Sequence, residues 1–323
     1  MRYTRLGSSG IKISVVGLGS WLTFGHRIDV DGTREILDFA FEAGINFVDT
    51  ADVYALGRCE ETLGQALGGR PRKDYVLATK AFFPTGDGPN DRGLSRKHLR
   101  ESLAASLDRL KTTYVDLYQC HRYDPDVSME ELVRTMNDFI RAGLIFHWGV
   151  SLWSADQIAA AVACARSLGL EGPVSHQPVY NMLQRGIEDD VLPVCRTLGV
   201  GQIVYSPLAQ GLLTGKYSRE KTPEDSRAAD AGSNQFIQTH MTEENFEKIE
   251  GIRDIARSTG LSMARLALAW CLRNTGVNSV IVGARNVQQL AENVSAAELE
   301  LPSGVAARID AVLRASSYGR DGE

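Results

Sequence analysis

The sequence predicts an α/β fold, a (β/α)8 TIM barrel with an N-terminal β-hairpin, a long loop after the seventh strand and a C-terminal helix. Three observations support this. Eight short β-rich runs alternate with amphipathic, helix-like stretches. The 323 residues suit one such barrel, and no linker or composition shift divides them, so residues 1–323 read as one domain. Several of the runs end in a charged or polar residue instead of fading into a loop.

Residues 3–6 and 11–14 flank a turn-rich Gly7-Ser8-Ser9-Gly10 and read as the hairpin. The first barrel strand lies over 15–20. The following pairs, each a helix leading into a strand, are 33–43 with 46–49, 60–67 with 75–80, and 95–110 with 114–121. They continue with 129–141 and 145–151, 155–168 and 174–177, 189–198 and 201–205, and 263–273 and 279–282. One irregular stretch, 208–240, is rich in Gly, Ser and charge, and a loop of that length in a compact domain reads as a lid or binding loop. Residues 302–313 read as a helix outside the barrel. The two familiar nucleotide motifs of open sheets both fail: Leu22 stands where the first strand's G-x-G would need a third glycine, and 211–216 is one residue short of a phosphate loop.

Composition narrows the class. A hydrophobic share of 43% with 23% charged residues describes a soluble globular chain. A net charge of −5 gives no electrostatic case for nucleic acid or a membrane surface. No apolar run approaches the roughly 18 residues of a membrane span, and the N-terminus turns polar before a signal-peptide core could form. A cytoplasmic enzyme is expected. The cysteines, Cys59, Cys120, Cys164, Cys195 and Cys271, are odd in number and form no C-x-x-C pair, so no metal site is expected. Cys164 and Cys271 sit in apolar helical stretches and read as core. Cys120 adjoins His121, but neighbours on a strand point to opposite sides, which disfavours a thiol–imidazole pair.

The chemistry lies at the strand ends. Successive parallel strands bring Asp49, the nearby Tyr54, Lys80 and His121 to one mouth, where barrel enzymes act. Lys80 near the end of a buried strand needs an anion, and Asp49 on the adjacent strand is the obvious one. A cation beside Tyr54 is expected to lower the phenol's pKa and make it a better proton donor, with His121 hydrogen-bonding the same reacting oxygen. Each residue alone has an ordinary explanation: a salt bridge, a surface tyrosine, a core histidine. Four of them at successive strand ends do not. Trp21, Phe82, Phe83, Tyr123 and Trp153 suggest an aromatic-walled pocket, or packing of the barrel itself.

These four residues resemble the catalytic tetrad of the aldo-keto reductases, and the likeness covers almost the whole length. It is greatest to the branch containing the β subunits of voltage-gated potassium channels and their bacterial relatives. The stretches that carry it are Gly17-Leu18-Gly19-Ser20-Trp21-Leu22-Thr23-Phe24-Gly25, Arg92-Gly93-Leu94-Ser95-Arg96-Lys97-His98 and Ala269-Trp270-Cys271-Leu272-Arg273-Asn274. The resemblance implies reduction of a small-molecule aldehyde or ketone with NADP(H), or else a cofactor-binding accessory subunit with weak turnover. It also implies a homo-oligomer, a tetramer or octamer.

By the same resemblance, Ser20, Trp21 and Asp49 border the cofactor. Ser151 and Gln177 would bond the nicotinamide amide, and Tyr205 would stack on its ring. Ser206, Pro207, Leu208, Ala209, Gln210 and Gly211 would follow the pyrophosphate, with Lys216 supplying charge. Gly283, Arg285, Gln289, Glu292 and Asn293 would hold the adenosine end, with Arg227 closing over its phosphate. Three positions depart from the family. Leu152 replaces the Asn or Arg common there, and Gly283 replaces a frequent Lys. Position 121 is His, as in active reductases, where channel subunits carry Asn.

Overall fold

The alternation closes into a ring. The computed structural model describes residues 1–224 and 226–314. Of the expected domain 1–323, residues 315–323 lie outside those described. Strands β1 (Tyr3–Arg5) and β2 (Lys12–Ser14) pair antiparallel as the hairpin. The barrel strands are β3 (Val16–Gly19), β4 (Phe47–Asp49), β5 (Val76–Ala81), β6 (Val115–Cys120), β7 (Ile145–Ser151), β8 (Ser175–Gln177), β9 (Gly201–Val204) and β10 (Val277–Val282). They pair in parallel in chain order, and β10 closes on β3.

The outer helices follow from caps and spacing. They are α1 (Val30–Glu42), α2 (Arg58–Ala66), α3 (Arg96–Arg109), α4 (Met129–Arg141), α5 (Ala155–Ser167) and α6 (Val191–Leu198). After β9 come α7 (Gln235–Gln238), α8 (Glu243–Thr259) and α9 (Met263–Leu272). After β10 come α10 (Val287–Val294) and α11 (Ser303–Arg314). Ser128 caps α4 by accepting from the Glu131 N–H, and the buried Leu132, Val133, Met136 and Phe139 form one stripe along it. Ser154 and Gln157 form a reciprocal capping box on α5.

Two apolar layers result. The larger lies between the strands and the helices. A smaller cluster fills the barrel's interior, where Leu6 and Ile13 from the hairpin region meet Phe47, Ala78, Leu117 and Ile203. The hairpin therefore plugs one end and leaves the mouth at the strands' carboxyl ends open. Phe47 fits because β3 carries Gly17, where a Cβ would stand 2.5 Å from the Phe47 ring.

Three expectations need correction. Helix α8 falls in a stretch for which the sequence predicts no element. Its buried Phe246, Ile249, Ile252 and Ile255 make a regular stripe, but eight of its 17 residues are charged and mask it. Gly251 lets Val312 of α11 pack closely against this helix. The irregular stretch 208–240 contains α7 and short 3-10 turns at Ala209–Thr214 and Arg227–Ala229. Cys271 is core, but Cys164 is only half-buried, packed against the larger apolar layer without entering it.

Candidate active site

Register brings the tetrad together. Asp49 ends β4, Lys80 is the penultimate residue of β5, and His121 follows β6, three neighbouring strands of the ring. Tyr54 reaches the same mouth from the turn after β4. The following Ala55 and Leu56 are both left-handed, with φ of 49° and 55°. That conformation costs a side-chain-bearing residue roughly 1–2 kcal/mol, and the turn is closed by backbone bonds from the Tyr54 N–H to the Ala51 carbonyl and from the Leu56 N–H to the Val53 carbonyl.

Lys80 is fully buried, and its ammonium has three protons to place. Its Nζ lies 2.5 Å from Asp49 Oδ1, 2.8 Å from the Thr50 carbonyl and 3.2 Å from Tyr54 Oη. The second Asp49 oxygen accepts from Gln177 Nε2 at 2.9 Å and Gln119 Nε2 at 3.2 Å. His121 stands edge-on to Tyr54, ring centroids 5.6 Å apart, and edge-on to Phe83 at 4.9 Å. Cys120 points away into the apolar layer, as alternation requires.

The electrostatics overturn one expectation. Burial, followed by the Asp49 carboxylate, raises the Tyr54 phenol well above its ordinary value, with Arg122 opposing, so the net shift is upward even with Lys80 Nζ donating to its oxygen. The lysine's charge is matched by Asp49 at contact distance, so the phenol faces a nearly neutral pair. Burial also lowers the Lys80 ammonium, with Asp49 opposing. The His121 imidazole is pushed well below its ordinary value by burial, then by Lys80 and Arg122, and is therefore neutral near pH 7.

A second carboxyl lies behind the tetrad. Asp52 is buried, accepts from Ser102 Oγ at 2.7 Å, and leaves Oδ1 without a partner. Burial raises its pKa to about 7, assisted by Glu60 and opposed by Ser102 and Arg109. Its backbone N–H donates to the Lys80 carbonyl, tying the two strand ends together.

From the tetrad a cleft of about 980 Å³ runs across the mouth to β9 and β10. Every cofactor residue expected from the sequence lines it except Ser20 and Ala209, which are buried. Ser20 Oγ donates to Thr50 Oγ1 instead. Ser151 Oγ donates to the Gln177 carbonyl at 2.8 Å. Among the aromatics, Trp21 and Phe83 line the cleft. Phe82, Tyr123 and Trp153 are taken up in packing, Tyr123 against Trp153. Phe236 of α7, which the sequence did not single out, meets Trp21 edge-on at 4.8 Å.

The far end of the cleft is cationic. Arg27, Lys216, Arg227 and Arg285 all line it. The Arg227 guanidinium is pushed down to about 10, chiefly by burial and further by Arg27 and Arg285. Like charges crowded in this way suit an anion of more than one charge. Ser206, Ala209, Gln210 and Gly211 have positive φ, and such turns aim backbone N–H groups into a common concavity. A phosphate-bearing cofactor fits this end. Arg27, which the sequence reading missed, pairs with Asp230 of the long loop. Among the described residues, no three His, Cys, Asp or Glu side chains converge as metal ligands, and no helix is long and apolar enough to cross a membrane.

A parallel barrel thus carries Asp49, Tyr54, Lys80 and His121 at its mouth, beside an extended, cation-ended cleft. The chain belongs to the aldo/keto reductase family, whose model matches residues 15–314. It is 44% identical over 319 residues to a protein of Oryza sativa subsp. japonica named "Probable voltage-gated potassium channel subunit beta", with 97% of each chain covered. A protein of the same name from Arabidopsis thaliana is 44% identical over 302 residues, covering 93% of this chain and 92% of that one.

Proposed function

We propose that this protein is a cytoplasmic, NADPH-dependent reductase of aldehydes and ketones. The observation that carries this reading is the placement of the three Lys80 protons on Asp49, the Thr50 carbonyl and Tyr54 Oη. Because Lys80 donates into the Tyr54 oxygen, the phenol's own proton is left to face the cleft. NADPH, bound along the cleft with its phosphates at Arg227, Arg285 and Lys216, would supply a hydride to the carbonyl carbon.

Tyr54 delivers its proton to the carbonyl oxygen as that oxygen gains negative charge. The raised phenol pKa keeps the proton in place at all ordinary pH, and a developing alkoxide is basic enough to take it. Lys80 then steadies the phenolate, and Asp49, held by Gln119 and Gln177, fixes the lysine. Neutral His121 offers a ring N–H to the same oxygen. One hydride on carbon and one proton on oxygen complete the alcohol.

The names of the relatives favour a second reading, an NADP(H)-binding accessory subunit with weak turnover. Absorbance at the reduced nicotinamide band decides between the two. Rapid loss with a reactive aldehyde supports the reductase. Tight NADPH binding without loss supports the accessory subunit.

A further inference from the structure

Positive charge stands at two places in the cleft. One is the cationic end beside β9 and β10. The other is Arg122, one residue past His121 after β6, and β6 is four strands from β10 whichever way the ring is counted. The two places therefore face each other across the mouth. Arg122 lines the cleft with Tyr54, Phe83 and His121, at the chemical end, away from the phosphate end.

The Arg122 guanidinium is held in place. It lies over the Phe83 ring at 5.0 Å, and Nη1 donates to the His121 carbonyl at 2.5 Å. Neither contact neutralises its charge. Among the described residues no carboxylate pairs with it. Asp124, two positions on, accepts instead from the backbone N–H groups of Leu94 and Asp126. Lys80, the other cation at this end, is matched by Asp49. Arg122 pulls down the pKa of Tyr54, His121 and Tyr205 alike, which puts its charge within electrostatic reach of the reacting oxygen. A half-buried, stacked and unmatched guanidinium is a preorganised fork for an anion.

We propose that Arg122 forms a substrate subsite for a carboxylate, so that the preferred substrates are carbonyl compounds bearing a carboxylate group, bound with that group on Arg122 and the carbonyl oxygen at Tyr54 and His121. This rests on the carbonyl-reductase reading of the same site and names its substrate class.

The test compares 4-formylbenzoate with its neutral methyl ester, using NADPH, in the wild type, Arg122→Leu and Arg122→Lys. The ratio of kcat/KM values, acid over ester, should fall at least tenfold in Arg122→Leu and less in Arg122→Lys. A ratio cancels any change common to both substrates, including lost stability or an altered Tyr54. An unchanged ratio in Arg122→Leu overturns the subsite. Calorimetry on the wild type holding NADP+ adds a readout that needs neither turnover nor a variant. There 4-(hydroxymethyl)benzoate should bind at least tenfold tighter than benzyl alcohol, and added salt should shrink the difference. Equal binding overturns the subsite. If the acid binds tighter but neither aldehyde is reduced, the subsite stands and the reductase reading falls.

Discussion

At the scale of single residues, charge is decided by burial and by the nearest partner together. The sequence places Lys80 near Tyr54 and Asp49 beside Lys80, but it does not show how far the phenol is desolvated, and burial, followed by the Asp49 carboxylate, moves its pKa up where a decrease is expected. Asp52 shows the same force more simply. Its carboxyl has a pKa of about 7 when folded, against 3.8 for an unperturbed aspartate. Between about pH 4 and pH 7 the folded protein keeps a proton that the unfolded chain releases. Stability therefore falls as pH rises through that window. Three pH units at about 1.4 kcal/mol each give a contribution on the order of 4 kcal/mol. Asp52→Asn should remove it. Thermal unfolding should show the variant gaining on the wild type at pH 8 compared with pH 5. An equal difference at both pH values would show that Asp52 ionises freely.

At the scale of elements, most of the barrel was legible because each strand and helix has its own period and its own cap. Residues 129–141 were read with their observed bounds because Ser128 caps them and an apolar stripe runs their length. Helix α8 was not read, since charge masked its stripe. The tetrad was legible because it repeats at strand ends. Arg27, Gln119 and Phe236 were not. Two lie on turns or short helices without a period, and Gln119 looks like any strand residue until the closed ring turns it toward Asp49. The cationic end joins the long loop to the start of α10, and the two should act on one ligand group. Replacing Arg227 or Arg285 by Leu should weaken NADPH binding about tenfold or more, the scale of a charge-assisted phosphate contact, and leave NADH nearly unchanged. Fluorescence titration with both cofactors checks this. Equal losses would show that the arginines do not read the extra phosphate.

At the scale of the whole molecule, a ring of eight parallel strands plugged at one end by a hairpin leaves one open mouth, and the chemistry and the cleft share it. The assembly expected for this chain is a tetramer or a pair of tetramers. Light scattering at micromolar concentration should give four or eight times the monomer mass, and a stable monomer would contradict it. Tyr54 as proton donor, coupled to Lys80, is the centre of the proposed chemistry. Lys80→Met should slow reduction about as much as Tyr54→Phe, and the double variant should be little worse than either, because both act in one proton transfer. The most direct measurement is single-turnover hydride transfer from bound NADPH to a good aldehyde, followed from pH 6.5 to 10. Tyr54 is held above that range and His121 below it, so neither should bend the wild-type profile, and a fall toward pH 10 would report Lys80, whose ammonium burial lowers. Tyr54→Phe should bind NADPH normally and lose about 10²-fold or more in rate at every pH. A Tyr54→Phe protein that transfers hydride at close to the wild-type rate would contradict the account.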